Sequence, residues 1–271
     1  MASSSERSRT AIDAILREIE VERGVSILYA CESGSRAWGF ESIDSDWDVR
    51  FLFKHDHERY DSIDEPPQQL ERMRESEVGK LDVVGWDLLK TLRLLRKTNP
   101  ALLEWLHSPI QYVASEPFVT RLTSLARAWF SPVASVNHYA SMARSNSRGL
   151  LDADKVVLKQ YLYVLRPVLA VDWVLARGTI PPVRFDELVD TMLSDDSRVH
   201  DDVTVLLAKK RSGTELGKGP RLHMLHEYLV RYLAALDEKI VLARQSVKGG
   251  YDPDVLTEEL NTLFRETISS S

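Results

Sequence analysis

Cysteine and long apolar runs are scarce in this chain of 271 residues. Its single cysteine, Cys31, cannot form a disulfide within the chain, so a reducing compartment is the default expectation. The most apolar stretch, residues 161–176, is interrupted by Arg166, Pro167 and Asp172 and is too short to span a membrane. The amino end, MASSSERSRT, lacks the apolar segment of a signal peptide. We therefore expect a cytoplasmic protein with no membrane partner.

Basic residues are not in excess either. The chain has 35 Lys and Arg against 41 Asp and Glu, which gives a formal net charge of −6 at pH 7. This balance excludes a protein that coats nucleic acid through general positive charge, although it leaves a local basic groove open. Hydrophobic residues make up 44% of the chain and charged residues 28%, as is typical of a folded globular protein.

Hydrophobic patterning divides the chain into two parts. In the first part, short apolar runs predict strands at Val25–Cys31, Trp47–Phe53 and the start of Leu81–Leu89, and helical periodicity predicts helices at Arg9–Val21, Leu88–Lys97 and Ala101–Leu106. Beyond residue 116 strand signals nearly vanish, and the predicted helices are Pro117–Phe130, Val133–Arg148, Asp154–Arg177, Phe185–Leu193, Val199–Lys210, Leu222–Ala243 and Pro253–Thr267. We expect an α+β protein with an α/β domain at residues 1–130 and an all-helical domain at 131–271.

The stretch GSRAWGFESIDSDWDVRF, residues 34–51, carries the main chemical signal. Because side chains two apart in a strand point to the same face, we expect Asp46, Asp48 and Arg50 to project together. Carboxylates this close repel each other, and a Mg²⁺ ion bound by carboxylate and phosphate oxygens would relieve the repulsion. Asp82, in the next apolar strand, completes a cluster for two metal ions if the strands are neighbours. On its own, a D-x-D before a strand is also typical of a turn or a cap.

Gly34 and Ser35 directly follow the first predicted strand. A glycine lets the backbone approach a ligand closely, and the amides at the start of a following helix can hold phosphate. Ser35 would add a hydroxyl donor, and Arg36 could offer a fork to phosphate oxygens. We assign these residues, together with Arg50, to a nucleotide site beside the carboxylates.

These motifs, Gly34-Ser35, Asp46-x-Asp48 and a later strand aspartate, resemble the DNA polymerase β-type nucleotidyltransferase superfamily. Longer blocks, at residues 34–51, 83–110, 159–170 and 206–213, resemble one subfamily, the predicted nucleotidyltransferases associated with bacterial RNA-ligase repair systems. The resemblance implies a mixed-sheet, palm-like catalytic domain that transfers a nucleoside monophosphate from an NTP to an RNA 3′ end, with Mg²⁺ or Mn²⁺ as the cofactor. By motif match, Asp46, Asp48 and Asp82 would be metal ligands, with Asp87 as the alternative third carboxylate, and Gly34 with Ser35 would hold the triphosphate.

A cationic stripe with one aromatic residue lies on the predicted helix at 154–177. Its members, at positions i, i+4, i+8 and i+11, are Lys155, Lys159, Tyr163 and Arg166. Residues at this spacing share one helix face, and such a face can hold a triphosphate and stack a base. We predict nucleotide contacts here, with a solvated basic face as the alternative.

A second basic cluster follows near the end of the predicted helix at 199–210. Its members are Lys209, Lys210, Arg211 and, beyond a glycine-rich loop, Arg221. Such a cluster could contact a nucleic-acid backbone, or it could be an ordinary charged helix end favoured by the helix dipole.

Taken together, the residues predict a metal-dependent nucleotidyltransferase that acts on an RNA end. Two other hypotheses use the same residues: nucleotidylation of a protein or small molecule, and a non-catalytic module that binds a nucleotide or a partner protein. The non-catalytic hypothesis predicts that at least one of Asp46, Asp48 and Asp82 is absent or misplaced, and an Asp82 far from the other two would favour it. The preferred base, the acceptor and the oligomeric state stay open.

Overall fold

A computed structural model of the chain describes residues 4–150, 155–193, 197–213, 216–245 and 252–270. Its first elements are α1 (Ser4–Arg23), β1 (Val25–Glu32), α2 (Gly34–Trp38), β2 (Trp47–His55), α3 (His57–Tyr60), β3 (Gln69–Ser76), β4 (Gly79–Asp87), α4 (Leu88–Arg96), α5 (Pro100–Leu106), β5 (Gln111–Ala114) and α6 (Glu116–Ala128). The elements that follow are α7 (Pro132–Asn146), β6 (Lys155–Val157), α8 (Leu158–Arg177), α9 (Phe185–Met192), α10 (Ser197–Arg211), β7 (Lys218–Pro220), α11 (His223–Ala234), α12 (Leu236–Gln245) and α13 (Pro253–Ser269). None of the helices in these described ranges is long and apolar enough to cross a bilayer.

Five strands form one mixed sheet in the order β3-β4-β2-β1-β5. β2 and β4 run parallel, and their register places Asp48 opposite Asp82; the other neighbouring strands are antiparallel. Parallel neighbours need a crossover connection, and here the chain passes from β2 through α3 and the edge strand β3 before it returns as β4. The predicted α+β class, with a mixed sheet followed by helices, is confirmed.

One face of this sheet is covered by α1. The helix presents apolar residues at helical spacing, and they share one buried cluster with alternate residues of β2 and β4. The cluster includes Ile12, Ile15, Leu16, Ile19, Val49, Phe51, Phe53, Leu81 and Val83. Because strand side chains alternate between faces, the intervening residues of β2 and β4, including Asp48 and Asp82, lie on the opposite face.

Two strands of the sheet, β3 and β5, were not predicted. β3 has the sequence QLERMRES and alternates exposed with half-buried residues, so it lacks the apolar run that marks a buried strand. β5 has only four residues. Both are edge strands, in which short or polar sequences are common.

Two of the predicted helices contain a segment that is not helical in the structure. The helix predicted from Asp154 begins at Leu158, because Lys155–Val157 pairs with Lys218–Pro220 as a two-stranded sheet; Asp154 lies outside the described residues. The helix predicted over Leu222–Ala243 is two helices, which meet at Ala235.

The described chain falls into two compact units. The first contains the five-stranded sheet, residues up to Ala37, Ser45–Trp129 and α13. Lys54 of β2 donates to the carbonyl oxygen of Thr267 at 3.0 Å, and this contact ties α13 into the first unit. The functional division between residues 1–130 and 131–271 stays a prediction.

The second unit contains Trp38–Asp44 together with α7–α12 and the β6–β7 pair. Its core surrounds α8, whose buried residues run along most of the helix. Phe40 belongs to this core, where its ring lies 5.3 Å from that of Phe185. The short segment between the Gly-Ser and D-x-D motifs is therefore part of the helical unit, where the sequence predicted a single boundary near residue 130.

Candidate active site

The Gly-Ser turn lies directly against the D-x-D strand. Gly34 has φ +58°, a left-handed conformation that favours glycine. A Cβ atom on Gly34 would lie 2.0 Å from Oδ2 of Asp48, so no side chain fits at this position while Asp48 keeps its place. The N–H of Ser33 donates to the carbonyl oxygen of Asp48 at 2.9 Å and fixes the turn against β2.

Arg36, on α2, forms hydrogen bonds to the loop that precedes β2. Its guanidinium stacks 3.7 Å from the centre of the Trp47 ring and donates to the carbonyl oxygens of Ser45 at 2.7 Å and Asp46 at 3.2 Å. The predicted phosphate fork would require Arg36 to leave these carbonyls. Ser35, the other residue predicted to meet phosphate on α2, is buried.

Arg50 bridges two of the predicted carboxylates. Its Nη2 atom lies 3.1 Å from Oδ1 of Asp48 and 2.9 Å from Oδ2 of Asp82, and its Nη1 donates to the carbonyl oxygen of Asp82 at 2.8 Å. Because both oxygens contact one nitrogen at 3.1 and 2.9 Å, they are at most 6.0 Å apart. The parallel register of β2 and β4 therefore brings together two acids that are far apart in the sequence.

Asp46 does not join this bridge. It precedes β2, is exposed, and has its Oδ2 atom 3.4 Å from Nζ of Lys80. In the part of the chain that the structure describes, no group of three or more His, Cys, Asp or Glu side chains is set to hold a metal ion. The three predicted metal ligands thus consist of a close pair and a third acid held by a lysine.

The fallback third carboxylate, Asp87, has a different function in the fold. It is buried at the end of β4, and its side chain caps α4 by accepting from the N–H of Leu89 at 2.8 Å. The hydroxyl of Tyr60 donates to its other oxygen at 2.6 Å. Asp87 lies five residues beyond Asp82, so the strand alternation turns it to the opposite face.

Glu32 is a fourth carboxylate beside Asp48, and the sequence analysis does not predict it as a site residue. It is fully buried at the end of β1, where one oxygen accepts from the N–H of Asp48 at 2.8 Å and the other from the hydroxyl of Tyr112 at 2.5 Å. Burial raises the pKa of Glu32 to about 7, although these hydrogen bonds act in the opposite direction. The sequence signal for Glu32 is its position as a charged residue at the end of an otherwise apolar strand, VSILYACE.

Charge and burial also act on Asp48. Burial raises the pKa of this carboxyl; the nearby Arg50 opposes the shift, and the negative charges of Asp82 and Asp46 add to it. An additional positive charge at this point would stabilise the ionised form of Asp48.

The predicted stripe of the helical unit does not lie on one helix. Lys155 belongs to β6, so its predicted helical register is wrong. Lys159 is exposed in the first turn of α8, with Nζ 5.5 Å from the centre of the Tyr163 ring. Arg166 is buried, and its guanidinium lies 4.5 Å from the centre of the Trp38 ring.

The four residues of the second basic cluster differ in exposure and in their contacts. Lys209 and Arg221 are exposed. Lys210 is buried, and Arg211 donates to the carbonyl oxygen of Gly39 at 3.0 Å. Contact of this cluster with a nucleic-acid backbone stays a prediction, with an ordinary charged helix end as the alternative.

Comparison with known proteins identifies the family. The model of the RNA repair pathway DNA polymerase beta family, RlaP, matches residues 8–266. The uncharacterized protein YcgL of Bacillus subtilis (strain 168) is 41% identical over 253 residues, which cover 93% of this chain and 94% of that protein. A crystal structure of a nucleotidyltransferase-like protein from Exiguobacterium sibiricum 255-15 aligns over 93% of this chain and 89% of its own, with 16% identity and a TM-score of 0.32. The chain belongs to the RNA repair pathway DNA polymerase beta family, whose members are polymerase β-like nucleotidyltransferases.

Proposed function

We propose that this protein transfers a nucleoside monophosphate from an NTP to the 3′ hydroxyl of a tRNA-like RNA during RNA repair in the cytoplasm. The observation that carries the proposal is the Asp48–Arg50–Asp82 group, which lies on neighbouring parallel strands beside the Gly34 turn. Membership of an RNA repair pathway polymerase beta family supports phosphoryl transfer as the chemistry of that carboxylate pair. The closeness of Asp48 and Asp82 supports the catalytic interpretation, because an Asp82 far from Asp48 would have favoured a purely non-catalytic module.

The Asp48–Asp82 pair fits a divalent cation. The Arg50 guanidinium lies between the two carboxylates, so this point already accommodates one positive charge. Mg²⁺ takes oxygen ligands and is commonly held by one or two carboxylates together with substrate phosphates. Asp48 and Asp82 would hold Mg²⁺ or Mn²⁺, and Asp46 would join them on leaving Lys80. The chemistry supplied by such an ion is charge stabilisation at the transferred phosphoryl group and activation of the attacking hydroxyl.

The reaction is a displacement at the α-phosphorus of the NTP. The acceptor hydroxyl oxygen forms a bond to this phosphorus, and the bond from phosphorus to the oxygen that bridges the β-phosphate breaks. Pyrophosphate leaves with that electron pair, and the hydroxyl proton passes to water. The protein's own part is positioning: Glu32 holds the backbone N–H of Asp48, and Gly34 leaves room for its carboxylate.

In the helical domain, residues 131–271, we assign contacts to the nucleotide and the RNA. The nucleotide contacts are Lys155, Lys159 and Tyr163, with Arg166 acting through Trp38 because it is buried beneath that ring. Lys209 and Arg221 are exposed and are assigned to the RNA backbone.

The test is transfer of label from each α-labelled NTP to RNAs that end in a 3′ hydroxyl, with Mg²⁺ or Mn²⁺. We expect labelled RNA from the wild type and from Asp44→Asn, an exposed neighbour that serves as the matched control, and none from Asp48→Asn. Transfer that survives Asp48→Asn, or no transfer with any NTP, metal and RNA, would contradict the proposal. Label that appears on a protein or a small molecule would favour the nucleotidylation alternative.

A further inference from the structure

Tyr112 on β5 is connected to Asp48 through the carboxylate of Glu32. The tyrosine is buried, and its ring belongs to the apolar cluster beneath α1. Its hydroxyl donates to one oxygen of Glu32 at 2.5 Å, and the other oxygen of Glu32 accepts from the backbone N–H of Asp48 at 2.8 Å. Two hydrogen bonds therefore join the edge strand β5 to a residue of the carboxylate pair.

This connection runs along the side of the sheet that α1 covers. Glu32 lies opposite Val49 in the register of β1 and β2, and Val49 belongs to the same apolar cluster as Tyr112. Neighbouring residues of a strand point to opposite faces, so the carboxylate of Asp48 lies on the other side of the sheet. Glu32 thus contacts the backbone of Asp48 from the face that is turned away from the reacting groups.

The segment before β5 fixes the backbone of Glu32. The N–H of Glu32 donates to the carbonyl oxygen of Ile110 at 2.9 Å, and its carbonyl oxygen accepts from the hydroxyl of Ser108 at 2.6 Å. The freedom that Glu32 keeps is rotation of its side chain. Because a short hydrogen bond from a hydroxyl to a carboxylate is among the strong ones, the Tyr112 hydroxyl sets the orientation in which Glu32 meets the N–H of Asp48.

Tyr112 is itself held in place by α1. Arg9 donates to the carbonyl oxygens of Gln111 at 2.7 Å and of Tyr112 at 2.5 Å, and its guanidinium lies 5.1 Å from the centre of the Tyr112 ring. Burial raises the pKa of the Tyr112 hydroxyl, and the negative charge of Glu32 raises it further. The hydroxyl therefore keeps its proton at neutral pH and acts as the donor to Glu32.

We propose that Tyr112 is a positioning residue for nucleotidyl transfer, which acts through Glu32 to hold Asp48 in its reactive place. Without the hydroxyl, the side chain of Glu32 can rotate, and the hydrogen bond to the N–H of Asp48 loosens. Misplacement of a reacting group by about 1 Å can lower a rate by about 100-fold, so a loosened Asp48 slows transfer. The role in transfer rests on the proposed function, whereas the restraint of Asp48 by Tyr112 can be measured without any reaction.

The test compares Tyr112→Phe, which removes only the hydroxyl, with Tyr29→Phe. Tyr29 is the matched control, because it is buried on β1 and its hydroxyl donates to the carbonyl oxygen of Trp105 at 2.6 Å. In EDTA at pH 8, we expect the Asp48 amide to exchange its hydrogen about tenfold faster in Tyr112→Phe, by NMR, and at the wild-type rate in Tyr29→Phe. With NTP, metal and RNA, we expect transfer at saturating NTP to fall about tenfold in Tyr112→Phe alone, with the KM for NTP changed by less than about twofold.

A double-mutant cycle distinguishes action through Glu32 from a general effect on the fold. Glu32→Met keeps the length of the side chain and removes both oxygens. In this background, adding Tyr112→Phe should change the transfer rate by less than about twofold, because the contact is already absent. The same tenfold loss in both backgrounds, an equal loss of transfer in Tyr29→Phe, or an unchanged exchange rate of the Asp48 amide in Tyr112→Phe would overturn the proposal.

Hydrogen exchange in EDTA separates this proposal from the proposed function. If the wild type never transfers a nucleotide but the Asp48 amide exchanges faster in Tyr112→Phe alone, Tyr112 restrains Asp48 and the transferase proposal fails. If the wild type transfers and Tyr112→Phe transfers equally well, the transferase proposal stands and the positioning role of Tyr112 is wrong.

Discussion

Gly34 and Asp48 share one space: the carboxylate of Asp48 occupies the position that a side chain on Gly34 would take. A Cβ atom at Gly34 would lie 2.0 Å from Oδ2 of Asp48, and φ at Gly34 is +58°. The glycine therefore serves two purposes, since it permits the left-handed turn after β1 and admits the acid. The Gly-Ser and D-x-D motifs of this chain are therefore in direct contact.

We predict that Gly34→Ala reduces nucleotidyl transfer by about 100-fold or more, because the added methyl group must displace the Asp48 carboxylate. The measurement is the transfer rate together with urea unfolding. Gly24→Ala is the matched control, because φ at Gly24 is +59° and no atom lies within 4 Å of its added Cβ. Both variants should lose about 1 to 2 kcal/mol of stability through backbone strain. Equal transfer rates in the two variants would contradict this prediction, since displacement of the Asp48 carboxylate would then have no effect on transfer.

The two candidates for the third carboxylate should behave in opposite ways. Asp82→Ala removes one side of the Arg50 bridge, so we expect transfer to fall by about 100-fold to 1000-fold while the protein stays folded. Asp87→Ala removes the cap of α4 and the partner of the Tyr60 hydroxyl, so we expect a loss of about 2 kcal/mol of stability, with activity retained per folded molecule. The checks are the transfer rate and urea unfolding. If folded Asp87→Ala lost transfer activity and Asp82→Ala kept it, Asp87 would be the third carboxylate in place of Asp82.

The sequence predicts much of the sheet but not the register that builds the carboxylate pair. β1, β2 and β4 each contain several buried apolar residues, so the sequence pattern marks them as strands. The parallel pairing of Asp48 with Asp82 depends on the crossover through β3, whose polar sequence does not mark it as a strand. The sequence therefore predicts that Asp82 lies beside Asp48 only if the two strands are neighbours.

Contacts between residues that are remote in the sequence also explain why Lys155 and Glu32 differ from the predictions. Lys155 continues the helical spacing of α8, but pairing with a strand more than 60 residues away overrides that local preference. The burial of Glu32 follows from its contacts with Tyr112 and Asp48, which are remote in sequence. Local patterns carry no information about such partners.

Arg50 is expected to act as the counter-charge of the carboxylate pair in the absence of metal. Arg50→Gln should lower the free energy of unfolding in EDTA by about 2 kcal/mol, because Asp48 and Asp82 lose their charged hydrogen bonds. Mg²⁺ should then raise the unfolding temperature more in Arg50→Gln than in the wild type, since a bound ion would replace the missing charge. Thermal unfolding over a Mg²⁺ titration measures both effects.

The control for that experiment is Arg93→Gln, which removes an exposed arginine whose guanidinium lies 3.5 Å from Glu65. Its response to Mg²⁺ should match that of the wild type. An equal Mg²⁺ response in Arg50→Gln would mean that Arg50 and the metal do not use the same charges.

Glu32 is expected to make stability depend on pH. Burial raises its pKa from 4.5 to about 7, so the native state binds this proton more tightly than the unfolded state does. Between these two values the native state holds more protons, and the free energy of unfolding therefore falls as the pH rises, by on the order of 3 kcal/mol in total. Glu32→Gln stays neutral, and its amide can still accept from the N–H of Asp48 and donate to the Tyr112 oxygen. We expect the variant to equal the wild type near pH 5 and to be more stable at pH 8.

Urea unfolding in EDTA at several pH values between 5 and 8 measures this difference. Asp48 and Asp87 also have raised pKa values, so the wild-type curve contains their contributions as well. The difference between Glu32→Gln and the wild type isolates Glu32, because the other carboxyl groups are present in both proteins. Glu75→Gln, at an exposed position, should reproduce the wild-type curve. A Glu32→Gln curve parallel to that of the wild type would mean that Glu32 keeps the same charge in the folded and unfolded chains.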